Sequence, residues 1–392
     1  MNTDKMKILE VITLESSAEN FISDQPKYLK EQGGYEVHLI CSPNPKLEQY
    51  AASQGMQYKA IQIERQVSIV KDIKAYIAIR RYMKANRFNV LIAHSYPKAC
   101  LLSMTAGAVS RIPHRIEIAH GALQEGLSGF MKRFVIMSET WNSTLGHKVV
   151  TVSDSVSKRR QLDKIDDPKK QLLLANGTSN GVDSQNKFNP SLIDESEILS
   201  LRERYGFSES DFVIGFCGRL VRDKGVTELV EGFKLVKERY PDKSLKLLVI
   251  GQPEQRDALP QETLSFLKES NDIVFTGRIP YEEIQKYYLL MDLFILPSYR
   301  EGFPTVVLEA SAMERPVVTT RKTGCVDSII DGETGLYINI EPESIAEAVE
   351  KLFDTQYARQ LGKNGRKWVV ENFDHVIVRE AMFNLIKNIS KE

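Results

Sequence analysis

The chain is poor in the residues that build stapled, metal-bound or membrane-spanning proteins. Of its 392 residues four are cysteine, six histidine and two tryptophan. Cys41, Cys100, Cys217 and Cys325 contain no Cys-x-x-Cys pair, which argues against zinc and thioredoxin-like chemistry. The expectation is four reduced, mostly buried thiols in a cytoplasmic protein. No stretch of about 18 apolar residues occurs, so no membrane span is expected. The run Ile8–Ile12 is short and broken by Glu10, which marks a strand rather than a signal peptide. Asp-x-Asp is missing, so a nucleotide held through a metal by that triplet is not expected. Gly-x-Ser-x-Gly, Gly-x-Gly-x-x-Gly and the Walker sequence are missing too, as are low-complexity tracts and short repeats.

Net charge is also lacking, with 52 Lys+Arg against 52 Asp+Glu. The balance is a cancellation. Residues 1–170 carry 25 basic and 17 acidic side chains, and residues 171–392 carry 27 and 35. The two parts are therefore +8 and −8, and the overall zero says nothing about partners of either one. A length of 392 fits two domains better than one core.

Short Val/Ile/Leu runs alternate with longer helical patterns along the whole chain. Strands are expected at Lys7–Thr13, Glu36–Cys41, Lys59–Ile63, Val90–His94, Arg115–His120, Val149–Ser153 and Leu172–Leu174. A second series follows at Phe212–Gly218, Leu245–Ile250, Ile273–Thr276, Leu293–Leu296, Pro316–Thr319 and Leu336–Ile338. Runs without polar alternation are what strands buried on both faces look like, so the reading is α/β with parallel sheets. The break falls in the polar stretch Asn176–Asn189, giving domains at 1–189 and 190–375; the helix Val376–Ile389 is free to cross back to the first. Ligands of such sheets bind at the carboxyl ends of strands, here expected to face one interdomain cleft.

Four strings carry chemistry. Glu301-Gly-Phe-Pro-Thr-Val-Val-Leu-Glu309 follows a strand through a short turn, with Pro304 where a helix begins. The amides of Gly302, Phe303 and Thr305 can donate to anions or hydroxyl oxygens, and Glu301 and Glu309 suit a polyhydroxylated ligand. Gly218-Arg219-Leu-Val-Arg222-Asp-Lys224-Gly225 occupies the phosphate-loop position of the second domain and offers Arg219 and Lys224 to a diphosphate. His120, in Ala119-His120-Gly121, ends a strand where a neutral imidazole can bond a ligand or move a proton. His94 ends another strand and competes for that role. Asn176-Gly-Thr-Ser-Asn-Gly-Val-Asp183 is a turn-rich loop. Taken singly, each string has a plain alternative: ordinary surface and helix glutamates, a solvated basic loop, a buried structural histidine, a hinge.

Together these strings resemble the retaining glycosyltransferases of family 4. The matches are Glu301-x7-Glu309, Gly218-Arg219-Leu…Lys224-Gly225, Ala119-His120-Gly121 and Asn180-Gly-Val-Asp183, with Asp327–Leu336 similar to the family's segment after the acidic motif. The resemblance implies the GT-B fold, two doubly wound Rossmann-like domains with an interdomain cleft, the first on the acceptor side and the second binding the donor. It implies that Arg219 and Lys224 hold the donor diphosphate, Glu301 and the amides after it the sugar hydroxyls, and Glu309 the ribose. His120 would contact the sugar near the reacting centre, and Arg278 and Ile279 would lie against the nucleobase. No metal or other cofactor is expected. Attack would come on the front face with retention, and the donor phosphate would help take the acceptor proton. The sequence departs from many members at Thr13–Asn20, where their Gly-Gly loop is replaced by residues without glycine; Ser16 or Ser17 are the candidate donors there. This version looks more like members that build bacterial capsule, O-antigen and lipid-linked oligosaccharides.

The implied reaction moves a sugar, UDP-linked in the first instance and GDP-linked as the nearest variant, to a lipid-linked or growing saccharide. Lys71–Arg87 and Gly129–Met137 read as basic amphipathic helices able to lie on an anionic membrane, or as helices packed on the sheet with their charges in water. That makes a cytoplasmic protein, peripheral on the inner face of the membrane, the expectation. Nucleic acid is not expected as a partner. A nucleotide-sugar 2-epimerase on the same fold and a two-domain solute-binding protein are the alternatives.

Overall fold

The computed structural model describes residues 5–13, 21–64, 68–95 and 97–389. The chain forms two compact units, one of residues 1–181 and 376–392, the other of residues 182–375. The division falls at Gly181/Val182, inside the polar stretch and ahead of Asn189.

The first unit contains β1 (Lys7–Val11), β2 (Glu36–Cys41), β3 (Gln57–Ala60), β4 (Val90–His94), β5 (His114–Ala119), β6 (Lys148–Thr151) and β7 (Gln171–Leu173). They form one sheet in the order β3-β2-β1-β4-β5-β6-β7. Every pair is parallel, for example Ile8 beside Val37 on one side and Val90 on the other. Successive strand residues face opposite sides of a sheet. Accordingly Ile8 joins the core beneath the helices Gln25–Gly33 and Pro45–Ser53, and Leu9 joins the core beneath Ile69–Asn86 and Pro97–Val109. The terminal helix His375–Ile389 belongs to this unit and buries Met382, Ile386 and Ile389 in the first of those cores.

The second unit contains β8 (Phe212–Cys217), β9 (Leu245–Ile250), β10 (Ile273–Gly277), β11 (Leu293–Leu296), β12 (Val317–Thr320) and β13 (Leu336–Ile338). Their order is β10-β9-β8-β11-β12-β13, again parallel throughout. Strands β4 and β11 are buried along their full length, as apolar runs without alternation require. In each sheet the order reverses at one place, between β1 and β4 and between β8 and β11. Loops leaving such neighbours diverge and open a crevice at the strand ends; His94 and both charged loops singled out above lie at these ends, and His120 at the end of β5, next to β4.

Some elements differ from expectation. The third strand ends at Ala60, before Ile63, and the helical pattern of the sequence over Tyr281–Leu290 yields only the short helix Ile284–Tyr288. The 18-residue helix Thr355–Asn372 has no expected counterpart. Asp354 caps it by accepting from the amides of Gln356 and Tyr357. Its Gly362 lies so near the turn after the helix Thr305–Ala312 that a Cβ there would stand 2.2 Å from the Glu314 carbonyl oxygen. None of the four cysteines, all among the described residues, is in a disulfide, and Cys41, Cys100 and Cys325 are buried.

Strand β5, which delivers His120, is anchored by a buried ion cluster. Arg160, fully buried, donates to Glu117 at 3.0 Å, to Asp166 at 2.6 Å and to Glu139. One cation thus meets three carboxylates. Burial pushes the Glu117 carboxyl up to about 8, although Arg160 opposes it. A carboxyl group whose pKa is raised on folding takes up a proton as the chain folds. The stability it confers is lost as pH climbs from the unfolded value, about 4.3, towards 8. Gln at position 117 keeps an acceptor for Arg160 and titrates nothing. Glu117→Gln is therefore expected to gain melting temperature relative to the parent as pH rises from about 6 to about 8. Differential scanning fluorimetry reads this; a difference independent of pH would show Glu117 ionised in the folded protein.

Candidate active site

In the second unit the crevice lies beyond β8 and β11. Strand β8 runs into Gly218-Arg219 and a single 3-10 turn, Arg222–Lys224, that feeds the helix Val226–Arg239. Strand β11 runs into Pro297–Arg300, Glu301 and the helix Thr305–Ala312. Side chains tie the two loops twice, and the Tyr299 N–H adds a backbone bond to Asp223 O at 2.9 Å. Lys224 Nζ donates to Glu301 Oε1, with both side chains mostly shielded from water, and Ser298 Oγ donates to the same oxygen at 2.8 Å. Arg300 donates from Nε and Nη2 to Asp223 Oδ2 at 3.0 and 2.6 Å. The Glu301 backbone is fixed from the β12 side by its N–H donating to Thr323 O at 2.9 Å. Gly324, at φ 79°, presses on the same segment; a Cβ there would lie 2.5 Å from Glu301 O. Glu301 therefore comes pre-set, with a cation on one oxygen.

The other expected donor residues are placed as follows. Arg219 is well exposed and pairs with Glu254 at 3.1 Å. Gly218 closes β8, and its N–H donates to Ile250 O at 2.9 Å. Gly302, Phe303 and Thr305 line the half-buried approach to the helix, and Phe303 packs on Phe373. Pro304 is the capping residue, one position ahead of the first helical residue Thr305. The opening amides of that helix have no partner within it. Glu309 lies deeper, 6% exposed, with Oε2 accepting from Tyr288 Oη–H at 2.7 Å; burial pushes its pKa up. Arg278 is exposed and Ile279 half-buried just past β10.

Lys187 is a residue the sequence did not single out. Its ammonium lies over the Tyr281 ring, and burial brings its pKa down to about 8 against the pull of Glu309. Asp223 and Arg300 were missed as a pair, because they are 77 residues apart and nothing local links them.

In the first unit His120 is half-buried at the end of β5, its ring stacked on Phe21 with centroids 4.1 Å apart. It does not compete with His94. The two rings are parallel within 6°, and His94 Nδ1 and His120 Nε2 are 2.8 Å apart. Behind His94 lies Glu10, 2.8 Å from Nε2; in front of His120 lies Ser179 Oγ, 3.1 Å from Nδ1. Glu10 carried a signal, a lone carboxylate inside an apolar strand, which was read only as an interruption. Residues 14–20, where Ser16 and Ser17 stand, lie outside the described residues. Among the described residues no group of three or more His, Cys, Asp or Glu side chains is placed to hold a metal ion.

This geometry can be set beside known proteins. Residues 20–170 match the model of the glycosyl transferase 4-like domain, and residues 198–368 match that of glycosyl transferases group 1. The capsular polysaccharide biosynthesis glycosyltransferase CapM of Staphylococcus aureus is 29% identical over 98% of both chains. The chain belongs to the family 4-like glycosyltransferases. Two solved structures give this glycosyltransferase its fold. A glycosyltransferase of Rickettsia africae superposes with a TM-score of 0.82 at 20% identity, covering 99% of this chain and 100% of that one. Anabaena HepE, solved in complex with UDP and glucose, superposes with a TM-score of 0.79 at 16% identity, covering 97% and 99%. The fold is thus GT-B, with two Rossmann-like domains. The strings at Gly218–Gly225 and Glu301–Glu309 fall inside the group 1 match, and His120 inside the 4-like match.

Proposed function

We propose that this glycosyltransferase moves a sugar from a nucleotide-sugar, UDP-linked in the first instance, to a lipid-linked or growing saccharide in cell-surface polysaccharide synthesis. It retains the anomeric configuration and needs no metal. The observation that carries the reading is the shielded Lys224–Glu301 pair at the β8/β11 strand ends, beside the open amides before and within the helix Thr305–Ala312. Lys224 offers a fixed positive charge where a departing diphosphate gathers negative charge, and fixed charge in a shielded site lowers that barrier most. Glu301, which can only accept, takes hydrogen bonds from sugar hydroxyls. Arg219 exchanges its exposed and weakly held partner Glu254 for a phosphate oxygen. The capsular role of CapM and the UDP of HepE support the substrate classes. A GDP-sugar is the second reading. It is favoured by a GDP-mannose-dependent mannosyltransferase of Mycolicibacterium smegmatis, 32% identical over 49% of this chain and 51% of its own.

Lys224→Ala is expected to lower transfer several-hundred-fold or more, since losing a preorganised charge of this kind costs about 3 kcal/mol. Near-parental turnover by the folded variant would remove Lys224 from the site. The donor is read from a thermal-shift screen of UDP-, GDP-, CDP- and dTDP-sugars, because a ligand bound only by the folded state raises its melting temperature. Chromatography separates transfer, which needs an acceptor, from 2-epimerisation, which releases nucleotide and an altered sugar without one.

The same reading puts the first unit against an anionic membrane. No helix among the described residues is long and apolar enough to cross one. Ile69 and Val70 on one helix, and Phe130, Met137 and Trp141 on the helix Gly129–Leu145, stand 50–79% exposed. Lys71, Lys74, Arg81, Lys84 and Arg133 are exposed on the same two helices. Helices that expose both apolar side chains and cations suit the boundary of an anionic bilayer. Co-sedimentation should show binding to anionic vesicles, weakened by Phe130→Ser and by salt. Equal or absent binding to anionic and neutral vesicles would count against membrane contact.

A further inference from the structure

The chain of contacts through His120 has a direction. Glu10 and His94 are each 3% exposed, whereas His120 and Ser179 are half-buried, so the buried members stand behind the accessible ones. The hydrogen-bond partners assign the protons. A Glu10 carboxylate can only accept, which puts a proton on His94 Nε2. A neutral His94 then accepts at Nδ1, so His120 carries its proton on Nε2. A neutral His120 in turn accepts at Nδ1, and Ser179 Oγ–H is the donor that reaches it. Burial holds the His120 imidazole well below its ordinary pKa, which keeps it neutral. The backbone holds the same register, for the His120 N–H donates to Ser95 Oγ at 3.1 Å. The cavity bordered by Glu10, His94, Thr178 and Ser179 has a volume of only about 20 Å³, room for one water. A sugar cannot enter behind the chain and would meet only its His120–Ser179 end.

We propose that Glu10 and His94 are positioning residues: they fix His120 as the Nε2–H tautomer and turn the Ser179 hydroxyl inward, leaving the Ser179 oxygen to accept from a hydroxyl of the bound saccharide. This rests on the reading of His120 as the residue that meets the sugar. A carboxylate that fixes the tautomer of a working histidine governs turnover without touching substrate. The second unit takes no part in the arrangement, since Glu10, His94, His120 and Ser179 all belong to the first.

The test pairs nitrogen NMR of histidine-labelled protein, which reads the tautomer without any substrate, with steady-state kinetics. His120 in the parent should be protonated on Nε2. In Glu10→Gln the amide can donate to His94 Nε2, which lets the chain reverse and moves protonation of His120 towards Nδ1. The same variant should lose at least about tenfold in kcat with the donor KM within about twofold, as expected when a tautomer is lost and binding is not. Glu10→Asp should restore the tautomer and part of the kcat. Should Glu10→Gln fold poorly, Ser179→Ala, a change at a half-exposed position, is expected to lower kcat with the tautomer kept. An Nδ1–H tautomer in the parent, an unchanged tautomer in Glu10→Gln, or kcat within about twofold of the parent in both Glu10→Gln and Ser179→Ala would overturn the proposal. If the parent transfers no sugar from any donor, the proposed function falls while the tautomer measurement still decides the relay.

Discussion

The second unit is organised around a lysine that must be held still without being buried in neutral company. Lys224 sits on a turn after β8 and Glu301 on a turn after β11, and each is the other's nearest opposite charge. Neither turn would hold its shape alone. The Asp223–Arg300 bridge next door and the Thr323–Gly324 backbone behind Glu301 fix both turns from outside the pair. That division of labour matters because an ion pair that also carried the fold could not open for a ligand. Here the Asp223–Arg300 contacts tie the loops independently of the Lys224–Glu301 pair.

The first unit applies the same rule with different chemistry. Its strand ends present a histidine rather than a lysine, and the anchoring charges lie inside. Arg160 and its three carboxylates brace β5 from behind, and Glu10 reaches His120 through His94. Both units therefore carry these side chains at the carboxyl ends of strands and fix them by contacts between segments distant in sequence.

That distance explains what could and could not be read from the sequence. Leu245–Ile250 and Val90–His94 were legible to the residue, because each is an almost unbroken apolar run, as strands buried on both faces are. Lys224, Glu301 and His120 were legible because each sits in a string with its own local grammar of strand, turn and helix start. The helix Thr355–Asn372 was not, because Gly362 and Gly365 look like loop residues until the close approach that calls for Gly362 is seen. His94 was read as a rival of His120 although the two are partners, and Glu10 as a break in a strand. A hydrogen bond between residues 84 apart, such as Glu10 to His94, leaves no periodic mark.

The terminal helix His375–Ile389 gives the fold a history as well as a shape. Residues 182–375 are inserted between the two stretches that make up the first unit, and the insert begins and ends side by side: Val182 N–H donates to Phe373 O, and His375 N–H to Val182 O. A ribosome delivers Met382, Ile386 and Ile389 only after residues 182–375, so part of one face of the first sheet waits uncovered while the entire second unit is made. The inserted unit can complete its own core in that interval; the unit that starts the chain is the one that finishes late. The adjacent joints also make residues 182–375 a cassette, so a relative's corresponding unit could be exchanged for this one by cutting at two neighbouring points and leaving the first unit's core intact.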